Sequence, residues 1–162
     1  MNFLPEGAFP VQGTLGCVTA NGGVTLDNIS LKNAQMVYMV FHITSGTGHP
    51  IAYTPLVGTA VATCATALPS NVEIWYGDVS VTSTQLTKQT AAKAHTTAAT
   101  ASLTSYLVFK IDPAVLGSTY DCLGGTVADA THADYVISCT YWIVPRFASK
   151  VSSMTSNEYI ID

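Results

Sequence analysis

The chain reads as an all-β domain, a β-sandwich or jelly roll with one short helical turn near 113–117 and a C-terminal arm. Three observations predict it. Apolar residues alternate along nearly every informative segment, the segments are short, and turn residues separate them. Strands of that length and spacing fit a two-sheet architecture of about eight to ten strands. At 162 residues the chain is long enough to bury a core without staples or metals, and it divides into a single β domain over 1–147 and an arm over 148–162.

Val11 to Thr19 and Val24 to Leu31 carry weak strand patterns on either side of a turn at Asn21-Gly22-Gly23. Gln35 to Thr44 is the strongest strand. Val37, Met39, Phe41 and Ile43 fall on one face and Met36, Tyr38 and Val40 on the other, so both faces are apolar, as expected of a central strand. After a turn at Gly46-Thr47-Gly48, Ile51 to Thr63 is a weaker strand. Asn71 to Tyr76 ends in Ile74-Trp75-Tyr76 and stops at Gly77-Asp78, and Val79 to Leu86 alternates apolar with hydroxyl residues. The Ala- and Thr-rich stretch from Thr90 to Ser102 reads as a loop.

Leu103 to Asp112 aligns Leu107, Phe109 and Ile111, and Tyr135 to Val144 aligns Tyr135, Ile137, Cys139, Tyr141 and Ile143. Both are core strands. Between them Asp112-Pro113 opens and Gly117 closes one helical turn, because Asp can cap, Pro suits the first helical position and Gly ends it. Thr119 to Val127 is a further weak strand, with Gly124-Gly125 marking a turn. Ala148 to Asp162 is a polar, Ser-rich spacer ending in Tyr159-Ile160-Ile161-Asp162, which reads as an arm with an adhesive tip reaching a neighbour, with a frayed terminus as the alternative.

Only 10% of the residues are Asp, Glu, Lys or Arg, and none lies between Lys32 and Glu73. A surface so poor in charge is suited to being covered by other chains. Prolines and glycines interrupt the uncharged stretch, which excludes a membrane-spanning helix there. The net charge of −4, with single, scattered Lys and Arg, offers no basic stripe for nucleic acid. The start has no basic and apolar leader pattern, so synthesis in a cytosol is expected. Cys17, Cys64, Cys122 and Cys139 follow no metal or redox spacing and are expected to be buried, reduced thiols.

No catalytic constellation is legible and no enzyme is expected: G-x-S-x-G is absent, and no cysteine lies in a recognised catalytic context. His42, in the central strand, reads as a hydrogen-bonded core or interface residue. Asp129, His132 and Asp134 match no metal-ligand spacing, so neither metal nor cofactor is expected. Trp75, Tyr76, Tyr141 and Trp142 are candidate core or interface anchors, with a sugar-stacking platform as the lesser reading. The candidate interface residues are thus Trp75, Tyr76 and Trp142, joined by Arg146, Phe147, Tyr159, Ile160 and Ile161.

Several stretches, in order, carry a resemblance: Ile29 to Asn33 leading into Val37 to Ile43; Thr54-Pro55-Leu56; Val108 to Ala114; Tyr120-Asp121-Cys122; and Tyr135 to Tyr141 followed by Arg146-Phe147. Together they resemble small virion structural proteins of tailed bacteriophages, the group that includes capsid decoration or cement proteins. The resemblance spans residues 24–147; Thr90 to Ser102 and the arm depart from it. It implies a β-rich protein, without catalytic residues, that is assembled in the host cytoplasm and resides on the capsid surface. There it would bind the major capsid protein and neighbouring copies of itself, tying the shell together. A tail or baseplate component and a carbohydrate-binding module are the alternatives.

Overall fold

The computed structural model describes residues 8–46, 48–60, 62–78, 85–97 and 103–146. The strands are β1 (Phe9–Gln12), β2 (Val18–Thr19), β3 (Val24–Thr25), β4 (Ile29–Ser30), β5 (Ala34–Ser45), β6 (Ala52–Gly58), β7 (Thr66–Ala67), β8 (Val72–Asp78), β9 (Thr87–Ala92), β10 (His95–Thr96), β11 (Leu103–Ile111), β12 (Cys122–Val127) and β13 (Val136–Pro145). A seven-stranded sheet runs β1-β13-β5-β11-β8-β9, with β2 also on β13. A six-stranded sheet runs β10-β6-β12-β3, with β4 on β12 and β7 on β6. Every pairing is antiparallel.

The connections define a jelly roll. With β1 and β2 counted as one strand and β3 and β4 as another, the succession continues through β5, β6, β10, β11, β12 and β13. Each member lies in the sheet opposite its predecessor, except that β10 stays beside β6 in the smaller sheet. The larger sheet then orders as β1/β2, β13, β5, β11, and the smaller as β3/β4, β12, β6, β10. Segment β7 to β9 is an insertion between β6 and β10, and its strands β8 and β9 widen the larger sheet beyond β11.

Register explains the core. Strand β5 sets Val37, Met39, Phe41 and Ile43 opposite Ile143, Tyr141, Cys139 and Ile137 of β13, and Val37, Met39 and Phe41 opposite Ile111, Phe109 and Leu107 of β11. All of these side chains are buried on one face. The smaller sheet meets them with Tyr53, Val57, Leu123 and Val127. Phe41 lies edge-on to Tyr53 and Phe109, with ring centroids 4.9 and 6.2 Å apart, a favoured aromatic arrangement. Polar atoms in this interior are paired: the Tyr53 hydroxyl donates to that of Tyr135 at 3.3 Å, and Thr97 Oγ1 lies 3.3 Å from the latter while accepting from the Ile51 N–H. Burial pushes the Tyr53 hydroxyl far above the usual tyrosine range, so it stays protonated and able to donate.

The helical turn spans Pro113–Leu116 as a 3-10 turn; Asp112 accepts from the Ala114 N–H at 2.9 Å, and Gly117 leaves it at φ 84°, a value that favours glycine. Three expectations are corrected. Part of the Thr90 to Ser102 loop is strand, since β9 reaches Ala92 and β10 pairs with β6, while 98–102 lie outside the described residues. Gly124 and Gly125 sit inside β12 rather than in a turn. They are there for space: Asn28 and Cys64 close over Gly124 on one face, and Met39 and Leu26 over Gly125 on the other. Strand β8 runs on through Gly77 and Asp78; of the strand expected over Val79 to Leu86, residues 79–84 lie outside the described residues and Gln85 and Leu86 are not in a strand. The arm over 148–162 also lies outside the described residues.

Candidate interaction surface

Alternation that sends Val37, Met39, Phe41 and Ile43 inward sends Met36, Tyr38, Val40 and His42 to the opposite face of the larger sheet. Cross-strand register places their neighbours. One row across the sheet reads Pro10, Trp142, Tyr38, Lys110 and Glu73. The next reads Gln12, Thr140, Val40, Val108, Trp75 and Lys88, and a third reads Ser138, His42, Tyr106 and Gly77. The two tryptophans therefore share one face, in adjacent rows, with Tyr38, Val40 and Val108 between them.

These side chains are half-buried; Tyr106 of the neighbouring row is 39% exposed. The His42 ring rests 4.9 Å from that of Tyr106. Lys88 Nζ lies 5.5 Å from the Trp75 ring centroid, within cation–π range. The charges on this face are clustered, two lysines around one carboxylate. Glu73 takes a contact from Lys88 and another from Lys110 Nζ at 2.9 Å. Hydrogen bonds from Lys88 first and Lys110 second hold the Glu73 carboxyl down at about 2, and the Glu73 bond raises Lys110 in turn. A face so arranged presents flat aromatic area with its three charges gathered into one cluster at its β8–β9–β11 side.

The other predicted residues separate from this face. Tyr76 points toward the interior side of β8, half-buried against the core, with its ring 5.3 Å from that of His95. Burial lowers the His95 pKa, favouring the neutral ring. Tyr141 is wholly buried and donates to the Asp27 carbonyl at 2.9 Å, so it is a core residue. Arg146 lies at the end of β13, where its N–H meets the Asn33 carbonyl and its Nε the Ala34 carbonyl. It borders a shallow cleft of about 430 Å³ with Leu31, Lys32, Pro113, Tyr120 and Asp121. Phe147, Tyr159, Ile160 and Ile161 lie outside the described residues.

Comparison with protein-family models, with curated proteins and with solved structures gave no match. The aromatic face therefore stands on its own geometry.

Sequence reasoning did not assign Tyr38, Val40, Tyr106 or Val108 to it. The available signal was the apolar second face of β5, which predicts a central strand; β5 is central, but among the described residues only one of its faces carries a second layer. Chemistry elsewhere is sparse. Among the described residues no group of three His, Cys, Asp or Glu side chains could hold a metal ion. Asp129 instead accepts from the N–H groups of Gly22 and Thr131, which lower its pKa, and His132 stacks on His49 with centroids 4.0 Å apart. Among the described residues no helix is long and apolar enough to cross a membrane. The cysteines are free, but Cys17 is exposed and Cys64 half-buried, which corrects the expectation that all four are buried.

Proposed function

We propose that this chain is a virion structural protein, a capsid decoration or cement protein that binds the outside of an icosahedral phage head and stabilises it. The aromatic outer face of the larger sheet is the surface that meets the major capsid protein. The carrying observation is the row-by-row alignment of Trp142, Tyr38, Val40, Val108 and Trp75 across four hydrogen-bonded strands, with the nearby lysines paired to Glu73. Buried tryptophan and tyrosine anchors contribute most of the binding energy at protein interfaces. Jelly rolls serve in viral shells as well as in lectins, so the fold is compatible with this role without selecting it.

A protein selective for the assembled lattice stabilises that lattice by mass action. Heads lacking the chain are expected to form, to release their genome at lower temperature, and to regain resistance when purified protein is added back. The double variant Trp75→Ser/Trp142→Ser should fail to restore it. Electron micrographs placing the protein on tails alone would replace this reading with the tail alternative. A change in tryptophan fluorescence on titration with glycans, in a protein that does not bind heads, would replace it with the carbohydrate-binding one.

A further inference from the structure

Around Gly58, Cys122 and Gly124 the outer face of the smaller sheet is covered by the chain itself, and two glycines permit it. Gly58 and Cys122 are register partners on β6 and β12, and Gly124 follows Cys122 on the same face of β12. A Cβ on Gly58 would run into the Thr63 carbonyl and would lie 3.1 Å from Cys64 Cα. A Cβ on Gly124 would run into Asn28 Oδ1 and would lie 3.2 Å from Cys64 Cβ. Cys64 thus spans the diagonal between these two positions. Cβ atoms of directly opposed residues lie about 4.5–5.5 Å apart, which sets Cys122 Cβ beside that diagonal. We infer that Cys64 and Cys122 form a closable pair, a site at which a disulfide clamps residues 62–64 onto the smaller sheet.

The chemistry is asymmetric. Cys122 is 1% exposed and Cys64 is half-buried, so a small disulfide reaches Cys64 first. The Cys64 thiolate attacks one sulfur of a low-mass disulfide, forming a mixed disulfide and releasing one thiol. The Cys122 thiolate then attacks Cys64 Sγ, forming the Cys64–Cys122 bond and releasing the second thiol. Two protein thiols are oxidised, one disulfide is reduced to two thiols, and the two protons end on the released thiols. Burial first and the neighbouring Cys122 second push the Cys64 thiol up to about 12, and burial raises Cys122 as well. Attack is therefore slow at neutral pH. The pair stays open in a reducing cytosol and closes on long exposure to an oxidising exterior, the surroundings of any protein carried on a particle outside the cell. The geometry does not depend on the role proposed above.

The test uses the full chain carrying Cys17→Ser, which removes the exposed thiol, incubated with oxidised glutathione at mildly alkaline pH. Free thiols are then alkylated and the protein is digested for mass spectrometry. A peptide pair joined through Cys64 and Cys122, lighter by two hydrogens, is expected. Cys122→Ser should stop at a glutathione adduct on Cys64, and Cys64→Ser should leave Cys122 free. A stable glutathione adduct on Cys64 with Cys122 still present, a link involving Cys139, or complete alkylation at both positions after prolonged oxidation would overturn the inference.

Discussion

The two outer faces of the sandwich are built on opposite terms. On the smaller sheet the outward positions of β6 and β12 are Ala52, Thr54, Leu56, Gly58, Cys122, Gly124 and Thr126, mostly small; Cys64 lies directly on Gly58 and Gly124, and Asn28 on Gly124. On the larger sheet the outward positions are Met36, Tyr38, Val40, Val108, Trp75 and Trp142, bulky and without a covering layer among the described residues. Where the chain covers its own sheet, side chains shrink so that backbone can approach. Where none of the described residues lies above, they expand into aromatic surface. Side-chain size on an outward face thus separates a surface already occupied from one available to a partner.

The largest expected effect lies between the two sheets. Phe41→Ala removes the ring that touches both Tyr53 and Phe109 and should cost about 3–5 kcal/mol, read as a lower denaturation midpoint at unchanged slope. Next, Gly58→Val forces the Thr63 carbonyl off the smaller sheet and should cost roughly 1–3 kcal/mol. Protease cleavage near residue 63 should rise with it, and if stability were unchanged the covered face would be looser than described. Tyr135→Phe removes one hydroxyl from the buried set with Tyr53 and Thr97 and should cost about 1–2 kcal/mol in the same measurement.

On the open face the sign of the comparison reverses. Trp75→Ser and Trp142→Ser should each cost about 1 kcal/mol in chemical denaturation, yet their combination should weaken head binding at least tenfold. A double variant that binds as wild type would show that this face is not the contact. The smallest effect is electrostatic. The Glu73 carboxyl lies below its ordinary 4.5, at about 2, so its ionised form favours the folded state. That contribution is fully present above pH 4.5 and is lost as pH falls toward 2. Glu73→Gln should flatten the stability–pH curve within that window and leave little change at neutral pH, because Lys88 and Glu73 are 57% and 37% exposed.

Much of this was legible in the sequence, and the rest was not for identifiable reasons. Strands β5, β11 and β13 follow from alternation alone, because their inward positions are large and aliphatic or aromatic. The turn at Pro113 follows from capping chemistry. Strand β12 was only weakly legible, within Thr119 to Val127, because its glycines signal a turn to local reasoning; Gly124 instead serves a tertiary contact with Cys64, 60 residues away in sequence. Strands β9 and β10 were hidden by their polar, exposed composition, since an edge strand needs little apolar pattern. Trp75 and Trp142 stood out in the sequence one by one, whereas their common face required the register of four strands, which no single segment encodes.

The short, guarded borders of the two sheets bear on how copies can crowd together. Where β1 begins the larger sheet it carries Pro10, which has no N–H to offer; at the other border β9 carries Lys88, and β3, β4 and β10 are two residues each. An unpaired strand edge is a template for another chain, and proline, lysine and brevity are ways of blunting it. Packed at high local density, such molecules have little ladder on which to grow fibrils or exchange strands. Their association is confined to side-chain surfaces, which can be matched, saturated and reversed without unfolding either copy.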